Sequence, residues 1–164
     1  MAKLLARRLK CSSVDLDSEV ERLAGRPVSA VFDEEGEERF RDLESRALSL
    51  ALDGEVPIVL ACGGGVLGRA ENRELLKSRA RVVWLGVDPA VAAERLGSPG
   101  EVVRPLLRGG PLVGRLETLL EARREGYEGA AELTVDTTRW APEQVTEVIA
   151  AALKGKVRWD RSGS

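Results

Sequence analysis

An α/β domain with a mainly parallel sheet is the fold class that this sequence predicts, on three observations. Two apolar runs, 57–62 and 81–87, each close on turn residues, Gly63-Gly64-Gly65 and Asp88-Pro89. Short strand candidates alternate with segments of helical periodicity along the chain. The whole spans 164 residues, enough for one domain with a single core and too few for two ordinary ones. In such a sheet a ligand site is expected at the carboxyl ends of the strands.

The elements follow in chain order. Leu5 and Leu9, four apart among arginines, predict a short helix over 2–9, with no capping residue ahead of it. A brief strand over 13–16 leads into a helix through Val20 and Leu23 that Gly25 stops. A helix over 37–52 carries Phe40, Leu43, Ala47, Leu50 and Ala51 on one stripe. The run 57–62 is continuously apolar, as expected of a strand buried on both faces. The run 81–87 repeats the pattern, and Asp88-Pro89 reads as an N-cap and first helical residue of a helix closing near Gly97. Residues 97–114 hold five glycines and three prolines around Arg104 and Arg108, a loop long enough to be a lid. A helix over 115–125, a strand over 133–135 and an amphipathic helix over 142–153 complete the domain, 1–154, and a polar tail occupies 155–164. No internal repeat is found.

Composition narrows the function. Hydrophobic residues make up 43% and charged residues 32%, with a formal charge of -2. That balance is globular and carries no electrostatic footprint for nucleic acid. No apolar run reaches the ~18 residues of a membrane span. Cys11 and Cys62 form neither a disulfide framework nor a zinc-spaced cluster, so a reducing cytoplasm is expected. With no histidine in the chain, catalysis is left to carboxylates, arginines and backbone amides.

Asp15 and Asp17 leave the first strand two residues apart, which places both on one side if the strand runs through them; otherwise they cap the next helix. Gly63-Gly64-Gly65 follows the most apolar strand. Three consecutive glycines each cost about 0.5–1 kcal/mol relative to alanine, which favours close approach of a ligand to the backbone over a plain turn. Arg123 continues the stripe of Leu116, Leu119 and Leu120, and is either aimed inward or snorkels at a helix end. Arg41 lies one turn from Glu44, which either steadies its fork for a substrate carboxylate or makes an ordinary surface pair.

In order and spacing these residues resemble the shikimate kinase family, from about Ala2 to Leu153. The resemblance implies a three-layer P-loop kinase-like fold and ATP-dependent phosphorylation of the shikimate 3-hydroxyl, with Mg2+ as cofactor. By the same resemblance Asp15 is the metal-associated aspartate, and Asp17 contacts shikimate hydroxyls and is the base. Arg41 with Glu44, Gly63, Gly64, Gly65 and Arg123 form the shikimate site, Arg104 is the lid arginine over the phosphates, and Arg95 lies near the adenine. The family usually has proline where this chain has Glu125. A gluconate kinase and a shikimate-binding remnant are the alternatives.

One part of the family pattern has no counterpart: G-x-x-x-x-G-K-[ST] occurs nowhere in the sequence. Residues 2–9 resemble the helix that follows that loop, so the chain is expected to begin just after it, and its own phosphoryl-transfer activity to be doubtful. The family's first strand is central, between the strands that here hold 58–62 and 82–85. Without it, two inner strand edges are expected to face each other unpaired.

Overall fold

The computed structural model describes residues 1–96 and 111–154. Helix α1 (Ala2–Leu9) ends at Lys10, whose left-handed backbone (φ 59°) lets its N–H reach the carbonyls of Ala6 and Arg7. Strand β1 (Ser12–Asp15) follows and stops where α2 (Leu16–Ala24) starts. Gly25 closes α2 at φ 70°, its N–H donating to the Glu21 carbonyl at 2.8 Å.

The sequence predicts a helix from 37; the observed α3 (Val28–Leu52) has an additional limb, separated from the predicted one by Gly36 at φ 83°, ψ 175°. A 3-10 turn (Val66–Gly68) and α4 (Ala70–Arg79), neither predicted, follow β2 (Ile58–Ala61). Helix α4 escapes a periodicity reading because Asn72 and Leu76 are its buried residues and the rest is largely polar. Strand β3 (Val83–Gly86) and α5 (Pro89–Leu96) match expectation. Helix α6 (Leu112–Ala130) starts inside the segment 97–114 assigned to the loop and runs past 125. Strand β4 (Leu133–Asp136) and α7 (Pro142–Lys154) complete the described chain.

The α/β class holds, but among the described residues the strands form two parallel pairs rather than one sheet. Strand β1 pairs with β2, Ser12 opposite Ile58, and β3 with β4, Val83 opposite Leu133. The inner edges belong to β2 and β3, as the resemblance implied. Asp53 and Arg79, which precede β2 and β3, form an ion pair at 3.8 Å, and Tyr127 bonds the Gly64 carbonyl beyond the end of β2 and stacks on Trp84 of β3.

Between the two edges lies a cleft of about 780 Å³. Leu5, Leu9, Ile149 and Leu153 line it from α1 and α7, and Leu67 and Leu76 line it from the other layer. The run 57–62 is therefore not the doubly buried strand expected: Ile58, Val59, Leu60 and Ala61 are all half-buried, because their edge away from β1 borders the cleft. Two cores sit on either side. One joins Leu16, Val20, Val31, Phe40, Leu43 and Leu48; the other joins Leu5, Val135, Val145, Ile149 and Ala150. In the second, α1 lies along α7, with Arg8 Nε bonded to Glu147 Oε1 at 2.7 Å and Thr146 Oγ1 donating to Met1 Sδ.

Candidate active site at the glycine turn

Asp15 is the N-cap of α2: its Oδ1 accepts from the backbone N–H of Asp17 at 3.1 Å and of Ser18 at 3.3 Å. The strand does not run through the acidic pair, so the alternation argument for a shared side fails and the capping alternative describes Asp15. Asp17 lies one residue inside the helix, exposed, and is carried to the glycine turn by α2 rather than by β1.

The turn itself explains its three glycines. A Cβ on Gly63 would lie 3.6 Å from Asp17 Oδ1 and 3.7 Å from Glu44 Oε1, ordinary contact. On Gly64 it would lie 2.8 Å from Tyr127 Oη and 3.1 Å from Arg123 Nη1, too close without a shift. On Gly65 it would collide with the Arg41 guanidinium. The close approach favoured from the sequence is thus realised, with the chain's own side chains making it. Gly63 thus meets two carboxylates, and Gly64 and Gly65 each meet one guanidinium.

Glu44 and Arg41 are held on α3, one turn apart. Arg41 Nη1 donates to Glu44 Oε2 and Nη2 to Glu37 Oε1, both at 2.9 Å. The Glu44 side chain is 1% exposed and that of Arg41 13%, so this is a buried pair rather than the surface alternative. Burial raises the Glu44 carboxyl above its usual range, Arg41 opposes this, and Asp17 adds to the rise. Burial works against the Arg41 charge, but Glu44 and Glu37 outweigh it and its pKa is raised.

Arg123 and Tyr127 come from successive turns of α6. Tyr127 Oη donates to the Gly64 carbonyl at 2.7 Å. The half-buried Arg123 guanidinium has no hydrogen-bond or ion-pair partner among the described residues, which leaves its donors for a ligand. Sequence reasoning missed the contact of Tyr127, although its place four residues after Arg123 put it on the same face. It also missed Asn72, buried at 2% exposure, whose Nδ2 donates to the Val66 carbonyl at 3.0 Å and with Arg73 Nη1 on the Leu67 carbonyl fixes the exit of the turn. Cys62 precedes the turn. Its surface opens on the cleft, yet the surrounding protein desolvates the thiol and pushes it up to about 12, with Glu44, Asp15 and Asp17 acting the same way.

The remaining expected residues are not brought to this turn. Arg95 Nη2 donates to the Thr137 and Thr138 carbonyls at 2.8 and 2.9 Å, clamping α5 to the loop after β4. Arg104 lies outside the described residues. No group of three or more acidic, cysteine or histidine side chains is arranged to hold a metal among the described residues, and none of their helices is long and apolar enough to cross a membrane.

The family model described as shikimate kinase matches residues 1–154. The chain belongs to the shikimate kinase family. A shikimate kinase of Thermobifida fusca is 42% identical over 153 residues, 93% of this chain and 86% of the relative. One of Symbiobacterium thermophilum is 39% identical, over 94% of this chain and 88% of the relative. Among solved structures, shikimate kinase from Acinetobacter baumannii in complex with shikimate superposes with a TM-score of 0.83 at 30% identity, covering 96% of this chain and 87% of that one. The P-loop kinase-like fold class and the kinase reading of the sequence therefore stand, and neither the gluconate kinase nor the binding-remnant alternative is favoured.

Proposed function

We propose that residues 1–154 act as one domain whose glycine turn is the acceptor site for shikimate in an ATP-dependent kinase reaction of the chorismate pathway, in the cytoplasm. The observation that carries this is the ordered pairing along the turn: the guanidinia of Arg41 and Arg123 at Gly65 and Gly64, and the carboxylates of Asp17 and Glu44 at Gly63. A ring with a carboxylate at one end and hydroxyls at the other matches that order. Arg41, already oriented by Glu44, and Arg123 clamp the carboxylate. Asp17 accepts hydrogen bonds from the ring hydroxyls and takes the proton of the attacking one. Glu44 has the separate task of holding Arg41.

The donor side is ATP with Mg2+, with Arg104 and Arg95 assigned to the nucleotide and Asp15 to the metal. The described residues do not fit its phosphates. The one run of glycines at a strand end is already packed against Arg41, Arg123 and Tyr127, Asp15 is engaged in capping, and Arg95 is engaged with carbonyls. No transfer step is derived through that group.

Calorimetric titration with shikimate tests the acceptor reading. Saturable 1:1 binding is expected, weakened at least about 100-fold, the value of a lost charge-assisted pair, in Arg123→Ala and by esterifying the shikimate carboxylate. An ester that binds as well as the acid overturns it.

A further inference from the structure

Two carboxylates hold Arg41 before any ligand arrives. Its Nε (3.3 Å) and Nη2 (2.9 Å) both donate to Glu37 Oε1, and its Nη1 donates to Glu44 Oε2 at 2.9 Å. Nε and Nη2 form one edge of the guanidinium, an edge that takes a carboxylate side-on. A ligand carboxylate brought to Gly65 therefore meets a guanidinium that already stands between two others. Like charges this close repel each other, so the ligand is fully paired only when one resident yields.

The two residents are not equally free to leave. The Glu44 side chain is 1% exposed, and separating it from Arg41 would strand a buried charge, which is strongly destabilising. The Glu37 side chain is 51% exposed; water takes the place of its partner and little stability is lost. The backbone beneath Glu37 is meanwhile fixed. It follows Gly36, whose φ of 83° and ψ of 175° belong to a region open essentially to glycine alone. Arg69 holds the next residue, Glu38, and Asp42 one turn further on. The rings of Phe32 and Phe40 meet across the break, their centroids 4.5 Å apart. What is left to move is the Glu37 side chain, turning about its own torsions into solvent.

We propose that Glu37 is a resident competitor for the substrate carboxylate, occupying the side-on edge of Arg41 in the free chain and swinging into water when the ligand binds. This rests on the acceptor reading above and adds to it a residue that acts through Arg41 rather than on the ligand. In the free chain Glu37 keeps the guanidinium aimed over Gly65; in the complex its charge opposes the ligand's. Phosphorylation of a ring hydroxyl leaves the carboxylate unchanged, so the same competition favours release of the product. Glu37 is a positioning residue opposite in sign to Glu44, which holds Arg41 for the ligand.

The test compares the full chain with its Glu37→Gln variant, whose amide oxygen still accepts from Arg41 but carries no charge. Calorimetric titration with shikimate and with methyl shikimate reads the effect. Shikimate should bind the variant about 5-fold more tightly, the value of an exposed charge pair, while affinity for the ester and the Tm stay unchanged. In the unsubstituted chain the carboxylate carbon of Glu37, followed by NMR, should shift as shikimate is added. Weaker shikimate binding by the folded variant overturns the proposal, because it shows that Glu37 holds the fork for the ligand. An equal change for acid and ester overturns it too, as does a Glu37 carbon unmoved by bound shikimate. If neither chain distinguishes acid from ester, the acceptor reading falls and this inference with it; if both do so by the same ratio, this inference alone falls.

Discussion

The half of the molecule around α2 and α3 and the half around β3, β4 and α7 differ in how completely they are closed. In the first, Leu16, Val20, Val31 and Leu48 are fully buried and even a carboxylate, Glu44, is sealed in. In the second, Val145 and Ile149 are as deeply buried, but the cluster they belong to is smaller and borders the cleft. The side chains assigned to the acceptor are supported by the closed half. Precision at Gly63–Gly65 depends on neighbours that cannot move, and the open half has fewer of them.

Truncation in each core sharpens this difference most. Leu48→Ala should cost about 4 kcal/mol, since a closed core relaxes little around a cavity, and Ile149→Ala about 2 kcal/mol, because side chains beside the cleft can shift into it. Denaturant unfolding measures both, and equal losses would remove the distinction between the halves. Gly65→Ala comes next. Its methyl displaces the Arg41 fork, and shikimate affinity should fall about 30-fold, about 2 kcal/mol, with little change in Tm; calorimetry reads the first and thermal melting the second. Tyr127→Phe removes one hydrogen bond to the Gly64 carbonyl and should weaken binding about 5-fold, about 1 kcal/mol, without unfolding the chain.

The smallest effect is a pH dependence. The Glu44 carboxyl is raised above its ordinary 4.5, so the folded state binds the proton more tightly than the unfolded state. Its contribution to stability is present below that ordinary value and fades as pH rises through the raised one. Glu44→Gln should flatten the Tm profile over that window; a slope unchanged by the substitution would assign it to other groups.

How much of this was legible in the sequence depended on whether the signal was local. The i,i+3 spacing of Arg41 and Glu44, the stripe that carries Arg123 and the apolar run before three glycines are local, and each led to its structural counterpart. Helix α4 was illegible because its contacts are made by Asn72 and Leu76 among polar residues. The first limb of α3 was missed although Val28, Val31 and Phe32 have helical spacing, and Gly36 hides its continuity with the second limb. The choice between a carboxylate pair and a helix cap at Asp15 turned on one residue of strand length. Which side chain crowds which glycine is a property of four separate elements, and no spacing in the sequence encodes it.

The pairing of α1 with α7 ties the two ends of the described chain together. Ala2 and Lys154, 152 positions apart, both border the cleft, and Leu5, Val145, Ile149 and Ala150 share one core. Fraying at one end therefore withdraws support from the other, and the two should open as one cooperative unit in amide exchange.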